Sequence, residues 1–249
     1  MPRILSGQQD KGDACDGASG KLGEMCARYC FFSGKTFGDD FGAVPIPDLG
    51  PLYSVFPGQA APVVVSDGGV RRAVIAQWGL VPSWANDPSI GKKLFNARAE
   101  TLAEKPSFRT ALRKRRCIVP ADGFFEWSGE KGSKQGWFAT LDRRPFAMAG
   151  LWEYWEGVEG ALQTFTVITT AANEEVEPVH SRMPVILEPH DYTDWLREDA
   201  AGESLTGLLT PFPPGRVRIK EVGKAFLYEI GTIYDTNLTV EEILLEGVA

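Results

Sequence analysis

The sequence predicts a single α+β domain with a mostly antiparallel, barrel-like β core and short peripheral helices. Segments with the strand pattern, rich in β-branched and aromatic residues, outnumber helical segments. Two pairs of these segments are joined by polar stretches typical of hairpins. Hydrophobic residues make up 43% of the 249-residue chain, which is enough for a sizeable core.

The predicted strands begin with a hairpin, in which residues 62–65 and 70–76 flank the turn sequence Ser-Asp-Gly-Gly. Residues 129–136 are polar and are expected to form the tip of a second hairpin. The other predicted strands comprise residues 117–120, 124–128, 137–141, 146–152 and 165–170. Short helices are predicted at residues 107–115, 172–179, 189–197 and 203–209.

The chain is expected to contain one domain, residues 26–235, between two ragged ends. Residues 1–25 are rich in Gly, Asp, Lys and Gln without a hydrophobic period, which predicts a disordered extension or a mis-assigned start. Residues 236–249 are expected to be a C-terminal tail. No apolar run reaches the ~18 residues of a membrane span, and no secretory signal is present. We therefore expect a cytoplasmic protein with no membrane partner.

The spacing of the cysteines and the net charge bear on two classes of function, metal binding and nucleic-acid binding. The cysteines lack partners at metal-site spacing, so we expect neither a metal nor a cofactor. The formal net charge of −7 argues against general nucleic-acid affinity, although binding depends on local potential. Basic residues cluster between Arg109 and Arg116. This cluster is either a surface that faces DNA or a helix end favoured by the helix dipole.

Cys26 directly follows Met25, a methionine that could itself start the protein. With Met25 removed, Cys26 would carry a thiol with a reference pKa of about 8.5 and an amine with one of roughly 7.7–8.0. Such a 1,2-aminothiol can attack an aldehyde with its nitrogen and close a thiazolidine with its sulfur. An internal cysteine cannot, because its nitrogen is an amide. The alternative is a small buried hydrophobic residue.

Three further segments carry candidate functional side chains. Trp84 lies in a turn-like setting where its ring could stack on an unpaired base, a contact worth ~1–3 kcal/mol. Asn96 and Arg98 alternate and would face the same side of an extended chain, with a phosphate or a salt bridge as the partner of Arg98. Glu126 alternates with Phe124, so we expect it to point inward, as an acid or base or as a structural ion-pair partner.

His180 is one of only two histidines, and the sequence places it after a predicted helix and before a strand. This is a typical position for a functional side chain, although a lone histidine is often structural. Together with the preceding segments, it resembles a known family, the SRAP (SOS-response-associated peptidase) proteins. The matching segments occur in family order at residues 25–29, 78–85, 95–101, 116–127, 150–153 and 165–187.

The resemblance implies a single α+β domain that binds abasic sites in single-stranded DNA or at single-strand/double-strand junctions, as a monomer. Cys26 would form a thiazolidine crosslink with the opened sugar aldehyde. Asn96, Glu126 and His180 match the family's catalytic positions. The peptidase label implies cleavage just before the cysteine, which would release its amine. The residues implied or expected to contact DNA are Arg28, Ser54, Trp84, Arg98 and Arg182.

The chain departs from the family pattern at several places, among them its C-terminal strand pattern at residues 222–228. Ala27 replaces a glycine, and Ser54 replaces an asparagine that could contact DNA or the N-terminal strand. Residues 1–25, if retained, would cap the amine of Cys26 and block the crosslink. Three functions remain open: an abasic-site crosslinker, a cysteine peptidase or amidohydrolase acting on other substrates, and a non-catalytic module that binds single-stranded DNA.

Overall fold

The structure is a computed structural model that describes residues 26–129, 134–142, 145–158, 160–198 and 203–223. The predicted extension, residues 1–25, and the predicted tail, residues 236–249, lie outside the described residues. No helix within the described part of the chain combines the length and the apolar character that membrane crossing requires.

Strands dominate the chain, and the helices are short. The strands are β1 (Tyr29–Phe31), β2 (Leu52–Val55), β3 (Ala60–Asp67), β4 (Val70–Trp78), β5 (Asn96–Arg98), β6 (Arg116–Ala121), β7 (Gly123–Ser128), β8 (Gln135–Leu141), β9 (Phe146–Gly157), β10 (Gly160–Ala171), β11 (Arg182–Pro184), β12 (Ile186–Leu187) and β13 (Val217–Val222). The α-helices are α1 (Phe37–Phe41), α2 (Pro106–Lys114), α3 (Tyr192–Leu196) and α4 (Glu203–Thr206). Single 3-10 turns occur at Gly34–Thr36, Ala99–Thr101 and Pro189–Asp191, and a longer one at Pro88–Lys93.

Five strands close into a barrel. Strands β10, β4, β3, β6 and β9 pair in that order, and β9 pairs again with β10. Every pair in this ring is antiparallel except β4 with β10. A second sheet, in the order β13-β8-β7-β1-β2, carries the segment that follows Cys26. The predicted barrel-like, mostly antiparallel α+β fold is therefore confirmed.

An aromatic cluster fills the space between the second sheet and the barrel. The Trp78 ring stacks on Phe165, with ring centroids 6.2 Å apart, and meets Tyr29 edge-on at 5.2 Å. Trp78 Nε1 donates a hydrogen bond of 2.7 Å to the carbonyl oxygen of Phe95. Burying a large apolar side chain contributes roughly 1.5–3 kcal/mol. This cluster therefore fixes β1, which follows Cys26, relative to the segment that leads into Asn96.

The chain between β4 and β5 returns to the barrel through two closely packed glycines. Gly79 has a φ of +129°, and a Cβ there would lie 2.7 Å from the carbonyl oxygen of Gly91. Only glycine fits this backbone contact. Leu80 N–H then donates to Leu94 at 3.1 Å, so the loop is pinned just before Asn96.

Most predicted elements are present, with different limits. The first hairpin is longer than predicted, and helix 107–115 is confirmed as Pro106–Lys114. The second predicted hairpin is also confirmed, because Ser128 pairs with Gln135, but residues 135 and 136 of its predicted tip belong to β8. Predicted helix 189–197 is divided into a 3-10 turn and α3, and helix 203–209 is shortened to Glu203–Thr206.

The predicted helix at 172–179 is wrong, because this segment forms consecutive turns. Pro178 is the physical reason, because it has no N–H to donate to the Glu174 carbonyl and disfavours helical geometry at Glu177. The Asn173 side chain stabilises the turns: its oxygen accepts the Val176 N–H at 3.2 Å, and its Nδ2 donates to the Phe212 carbonyl at 3.2 Å. His180 therefore follows turns rather than a helix.

Candidate active site

Cys26 and Glu126 meet in the interior of the domain. The backbone nitrogen of Cys26 donates a hydrogen bond of 2.8 Å to Glu126 Oε1, although the two residues are 100 positions apart. Both residues are 1% exposed. Strand pairing causes the contact, because β1 runs antiparallel to β7 with Tyr29 opposite Phe124. Glu126 projects from the same face of β7 as Phe124 and is buried like it, as its alternation predicts.

Glu126 is a carboxyl group in an apolar setting. Burial raises its pKa from 4.5 to about 8, and the Cys26 N–H partly offsets this. Oε2 is also buried and has no hydrogen-bond partner among the described residues. The carboxyl group therefore keeps one oxygen available for a second interaction inside the site.

Cys26 is held by its backbone on both sides. Asn96 Nδ2 donates a hydrogen bond of 3.2 Å to the Cys26 carbonyl oxygen. Burial, and secondarily the charge of Glu126, raise the pKa of the Cys26 thiol well above its ordinary value. The thiol is therefore held in its neutral form at neutral pH.

The backbone of Cys26 is strained. Its φ of +32° lies in the left-handed region, which costs roughly 1–3 kcal/mol for a residue with a Cβ. The strain arises from the carbonyl group that precedes the residue. An N-terminal Cys26 has no preceding carbonyl and is free of this strain.

His180 is half-buried, and a backbone contact orients its ring. Two backbone groups of Arg182 lie near His180 Nδ1: the N–H at 3.1 Å and the carbonyl oxygen at 3.3 Å. The first contact needs Nδ1 as an acceptor and the second needs it as a donor, so both neutral tautomers fit. Burial lowers the pKa of His180, and the hydrogen bond with the Arg182 backbone partly offsets this. The ring is therefore neutral around pH 7.

Strand β10 brings the segments of Asn96 and His180 to the same part of the barrel. On one edge of β10, Thr169 pairs with Arg98, and on the other edge Ala171 pairs with Arg182. Asn96 and Arg98 lie on the same side of β5, opposite the buried Ala97, as predicted. Two predicted site segments thus flank one strand.

Arg28 lies deeper than its predicted role in DNA binding suggests. It is 7% exposed, and its guanidinium group sits 4.8 Å from the Phe56 ring and 4.9 Å from the Phe125 ring. Arg28 Nε donates a hydrogen bond of 2.8 Å to Ser54 Oγ. Ser54 therefore contacts the N-terminal segment, one of the two partners expected for this position. The contacts of both residues with DNA remain predictions.

The remaining predicted DNA-contact residues lie nearer the surface. Trp84 is 58% exposed, as expected, and Arg98 is also exposed. Arg182 instead forms a two-pronged ion pair with Glu100, with Nη1 to Oε1 at 2.6 Å and Nη2 to Oε2 at 2.9 Å. Glu100 was not among the predicted site residues, although it lies only two residues after Arg98.

The basic cluster near α2 does not form one exposed patch. Arg116 is buried and donates to backbone carbonyls, including that of Trp195 at 2.6 Å. Arg115 forms an ion pair of 2.7 Å with Glu153. Only the part of the cluster that lies on α2 itself, such as Arg113, is exposed. Among the described residues, no three His, Cys, Asp or Glu side chains are grouped as metal ligands would be.

Asp122 is a buried carboxyl group that sequence analysis missed. It accepts hydrogen bonds from the backbone N–H groups of Phe32 and Ser33, at 2.6 and 2.9 Å, and from Ser33 Oγ at 2.5 Å. Its own N–H donates to Cys30 at 2.8 Å. Asp122 therefore fastens the end of β1 to the turn between β6 and β7.

Known proteins resemble this chain over most of its length. The abasic site processing protein YoqW of Bacillus subtilis is 41% identical over 198 residues, which cover 76% of this chain and 88% of the relative. YoaM, an abasic site processing protein of the same organism, is 39% identical over 196 residues, covering 76% and 86%. The abasic site processing protein HMCES of Gallus gallus is 33% identical over 180 residues, covering 59% and 54%.

The fold also matches solved structures. A crystal structure of a protein from Bacteroides thetaiotaomicron superposes with a TM-score of 0.75 at 28% identity, covering 82% of this chain and 94% of the other. A protein from Bordetella bronchiseptica gives a TM-score of 0.69 at 26% identity, covering 80% and 100%. The model of one family, SOS response associated peptidase (SRAP), matches residues 25–227. The chain therefore belongs to the SRAP family.

Proposed function

We propose that this protein processes abasic sites in DNA by forming a thiazolidine crosslink through the amine and thiol of N-terminal Cys26. One observation carries the proposal: the Cys26 nitrogen lies 2.8 Å from the buried carboxyl group of Glu126. The names of relatives with similar sequences support the same substrate. The preferred substrate is single-stranded DNA or a single-strand/double-strand junction, which a monomer binds.

Glu126 activates the amine by exchanging a proton with it. Burial raises the pKa of Glu126 to about 8, and an α-amine has a reference pKa of roughly 7.7–8.0. A carboxylate whose pKa is raised is a stronger base than an exposed glutamate, so it can take a proton from the neighbouring amine. Glu126 can therefore free the amine lone pair and return the proton later.

The reaction proceeds in a balanced sequence. His180 donates a proton from Nε2 to the sugar ring oxygen as the ring opens, and the proton of the C1′ hydroxyl group returns to the imidazole as the aldehyde forms. The Cys26 nitrogen attacks C1′, and the carbinolamine loses water to give a Schiff base, with Glu126 supplying the proton. The thiol then adds across the C=N bond: sulfur bonds to C1′, and the thiol proton passes to nitrogen. One water molecule is released overall.

The neutral state of the thiol suits this order of steps. A raised pKa keeps the sulfur protonated until the imine forms. The amine therefore attacks first, and the thiol proton is available for ring closure.

DNA is held by the side chains around the site. Arg28, Arg98 and Arg182 would contact phosphates near the lesion, Trp84 would stack on a base, and Ser54 would support Arg28. Asn96 would fix the Cys26 carbonyl so that the nitrogen faces C1′. Together these side chains would hold the DNA strand on both sides of the reacting sugar.

We further propose that the same site cleaves the peptide bond before Cys26. The carboxylate form of Glu126 takes the thiol proton, the sulfur attacks the preceding carbonyl carbon, and the C–N bond breaks as Glu126 passes that proton to the leaving nitrogen 2.8 Å away. Water then hydrolyses the thioester. The strained φ of Cys26 supports this step, because cleavage relieves it. Intact mass spectrometry of the full chain tests it, since loss of residues 1–25 should slow in Glu126→Gln.

A denaturing gel with an oligonucleotide that carries an abasic site separates the candidate functions. The crosslinker, with Cys26 as its first residue, gives a heat-stable band that Cys26→Ala abolishes and that Cys30→Ala keeps. A non-catalytic module gives a complex that salt and denaturant dissolve. A peptidase of broader specificity cleaves a peptide without DNA. Absence of the stable band overturns the proposal.

A further inference from the structure

The Glu100 carboxylate binds both Nη atoms of the Arg182 guanidinium group. The two side chains meet fork to fork, with nitrogen–oxygen distances of 2.6 and 2.9 Å. Arginine binds a phosphodiester with this same two-pronged geometry. The Glu100 carboxylate thus lies where a DNA phosphate would sit if Arg182 contacts DNA, so the inference rests on the proposed function.

Arg98 adds a second positive charge to the same place. The pKa of Glu100 is held below its ordinary value, first by the hydrogen bond from Arg182 and to a smaller extent by the charge of Arg98. The Arg98 side chain forms no ion pair or hydrogen bond within the described ranges. A single carboxylate therefore partly neutralises two arginines that are expected to face DNA.

The two partners of this ion pair differ in how firmly they are held. The Glu100 side chain is 51% exposed, whereas that of Arg182 is 15% exposed. Arg182 Nη2 also donates to the Thr169 carbonyl oxygen at 2.6 Å. Glu100 can turn into solvent, while the guanidinium group stays in place. The arrangement is therefore suited to exchange of one anion for another.

We propose that Glu100 is an internal competitor of DNA: it occupies Arg182 until a phosphate displaces it. Displacement exchanges one ion pair for another, and the freed carboxylate regains its own counterion. The contact then adds little to the net release of counterions that drives DNA binding. Glu100 thereby lowers the affinity for ordinary strands and weakens the salt dependence of binding.

Fluorescence anisotropy with an undamaged, labelled oligothymidine strand tests this inference over a series of NaCl concentrations. Glu100→Gln should bind about threefold or more tightly at low salt, and the slope of log K against log [NaCl] should steepen by about 0.7. Glu100→Asp keeps the charge but is too short to grip both nitrogens. It should also bind DNA more tightly than the wild type. Because this variant has the same net charge as the wild type, a gain in affinity would come from the lost competition for Arg182 and not from a change of charge.

Two controls make the result decisive. Glu104→Gln removes an exposed carboxylate four residues away and should change neither affinity nor slope. In a protein that already carries Arg182→Gln, adding Glu100→Gln should no longer raise the affinity for DNA. The inference is overturned if Glu100→Gln binds no more tightly than the wild type, if Glu104→Gln matches it, or if its gain persists without Arg182.

The strand in this experiment has no aldehyde, so the lesion chemistry does not enter the measurement. A chain that behaves as predicted here but leaves abasic DNA unmodified contradicts only the proposed crosslink. A chain that crosslinks but shows no gain in Glu100→Gln contradicts only the competition by Glu100.

Discussion

The nitrogen of Cys26 and Oε1 of Glu126 are 2.8 Å apart inside the domain, joined across 100 residues of sequence. The contact follows from the antiparallel pairing of β1 with β7. This contact places a buried carboxyl group within proton-transfer distance of a backbone nitrogen. The proposed reactivity of the N-terminus therefore depends on the register of two strands.

Glu126→Gln should lower the crosslinking rate about 100-fold, because glutamine can accept the hydrogen bond but cannot take the amine proton. Single-turnover kinetics with excess protein measure this rate. The wild-type rate should change with pH around 8, where Glu126 titrates, and this change should be reduced in the variant. A variant with the wild-type rate and pH profile would remove Glu126 from the chemistry.

Asn96→Ala should slow crosslinking about three- to tenfold, since it removes one hydrogen bond to the Cys26 carbonyl. DNA affinity should change little, so the loss should lie in the rate of the chemical step. The rate at saturating protein and the affinity for an undamaged strand report on these separately. Weaker binding at an unchanged rate would instead assign Asn96 to DNA contact.

His180 should be neutral at pH 7, because burial lowers the pKa of the ring. The proposed donor role requires its proton on Nε2, the tautomer in which Nδ1 accepts the Arg182 N–H. A long-range ¹H–¹⁵N spectrum of labelled protein distinguishes the two ring nitrogens. His180→Ala provides the assignment. A spectrum with the proton on Nδ1, or with both nitrogens protonated, would contradict the proposed donor role.

Asp122 should make the stability of the domain depend on pH. Burial raises the pKa of Asp122 from 3.8 to about 6, so the folded state holds the proton more tightly than the unfolded chain does. Raising the pH from 4 to about 7 should therefore destabilise the wild type relative to Asp122→Asn, by roughly 2 kcal/mol. Urea unfolding of both proteins at several pH values measures the difference. Parallel curves would show that Asp122 does not titrate in this range.

The sequence predicted those parts of the site that local patterns control. Alternation along one strand placed Glu126 inside, and the same rule put Asn96 and Arg98 on one side of β5. The turn composition around 66–69 gave the first hairpin. Each of these features depends on residues a few positions apart.

Local sequence patterns could not predict the contacts between distant segments. The burial of Arg28 depends on Phe56 and Phe125, which come from other strands or loops. Glu100 meets Arg182 only because β5 and β11 flank β10. Strand β1 has three residues, too few for a visible alternation, and it was not predicted. The helix predicted at 172–179 failed for a local reason, because Pro178 has no N–H with which to continue it.

Intact mass spectrometry of the protein after incubation with an oligonucleotide that contains an abasic site tests the central claim most directly. A chain that begins at Cys26 should gain the mass of the oligonucleotide minus one water, and the same chain with an acetylated N-terminus should gain nothing. An unmodified chain with a free Cys26 amine, or an adduct of equal yield on the acetylated chain, would contradict the account.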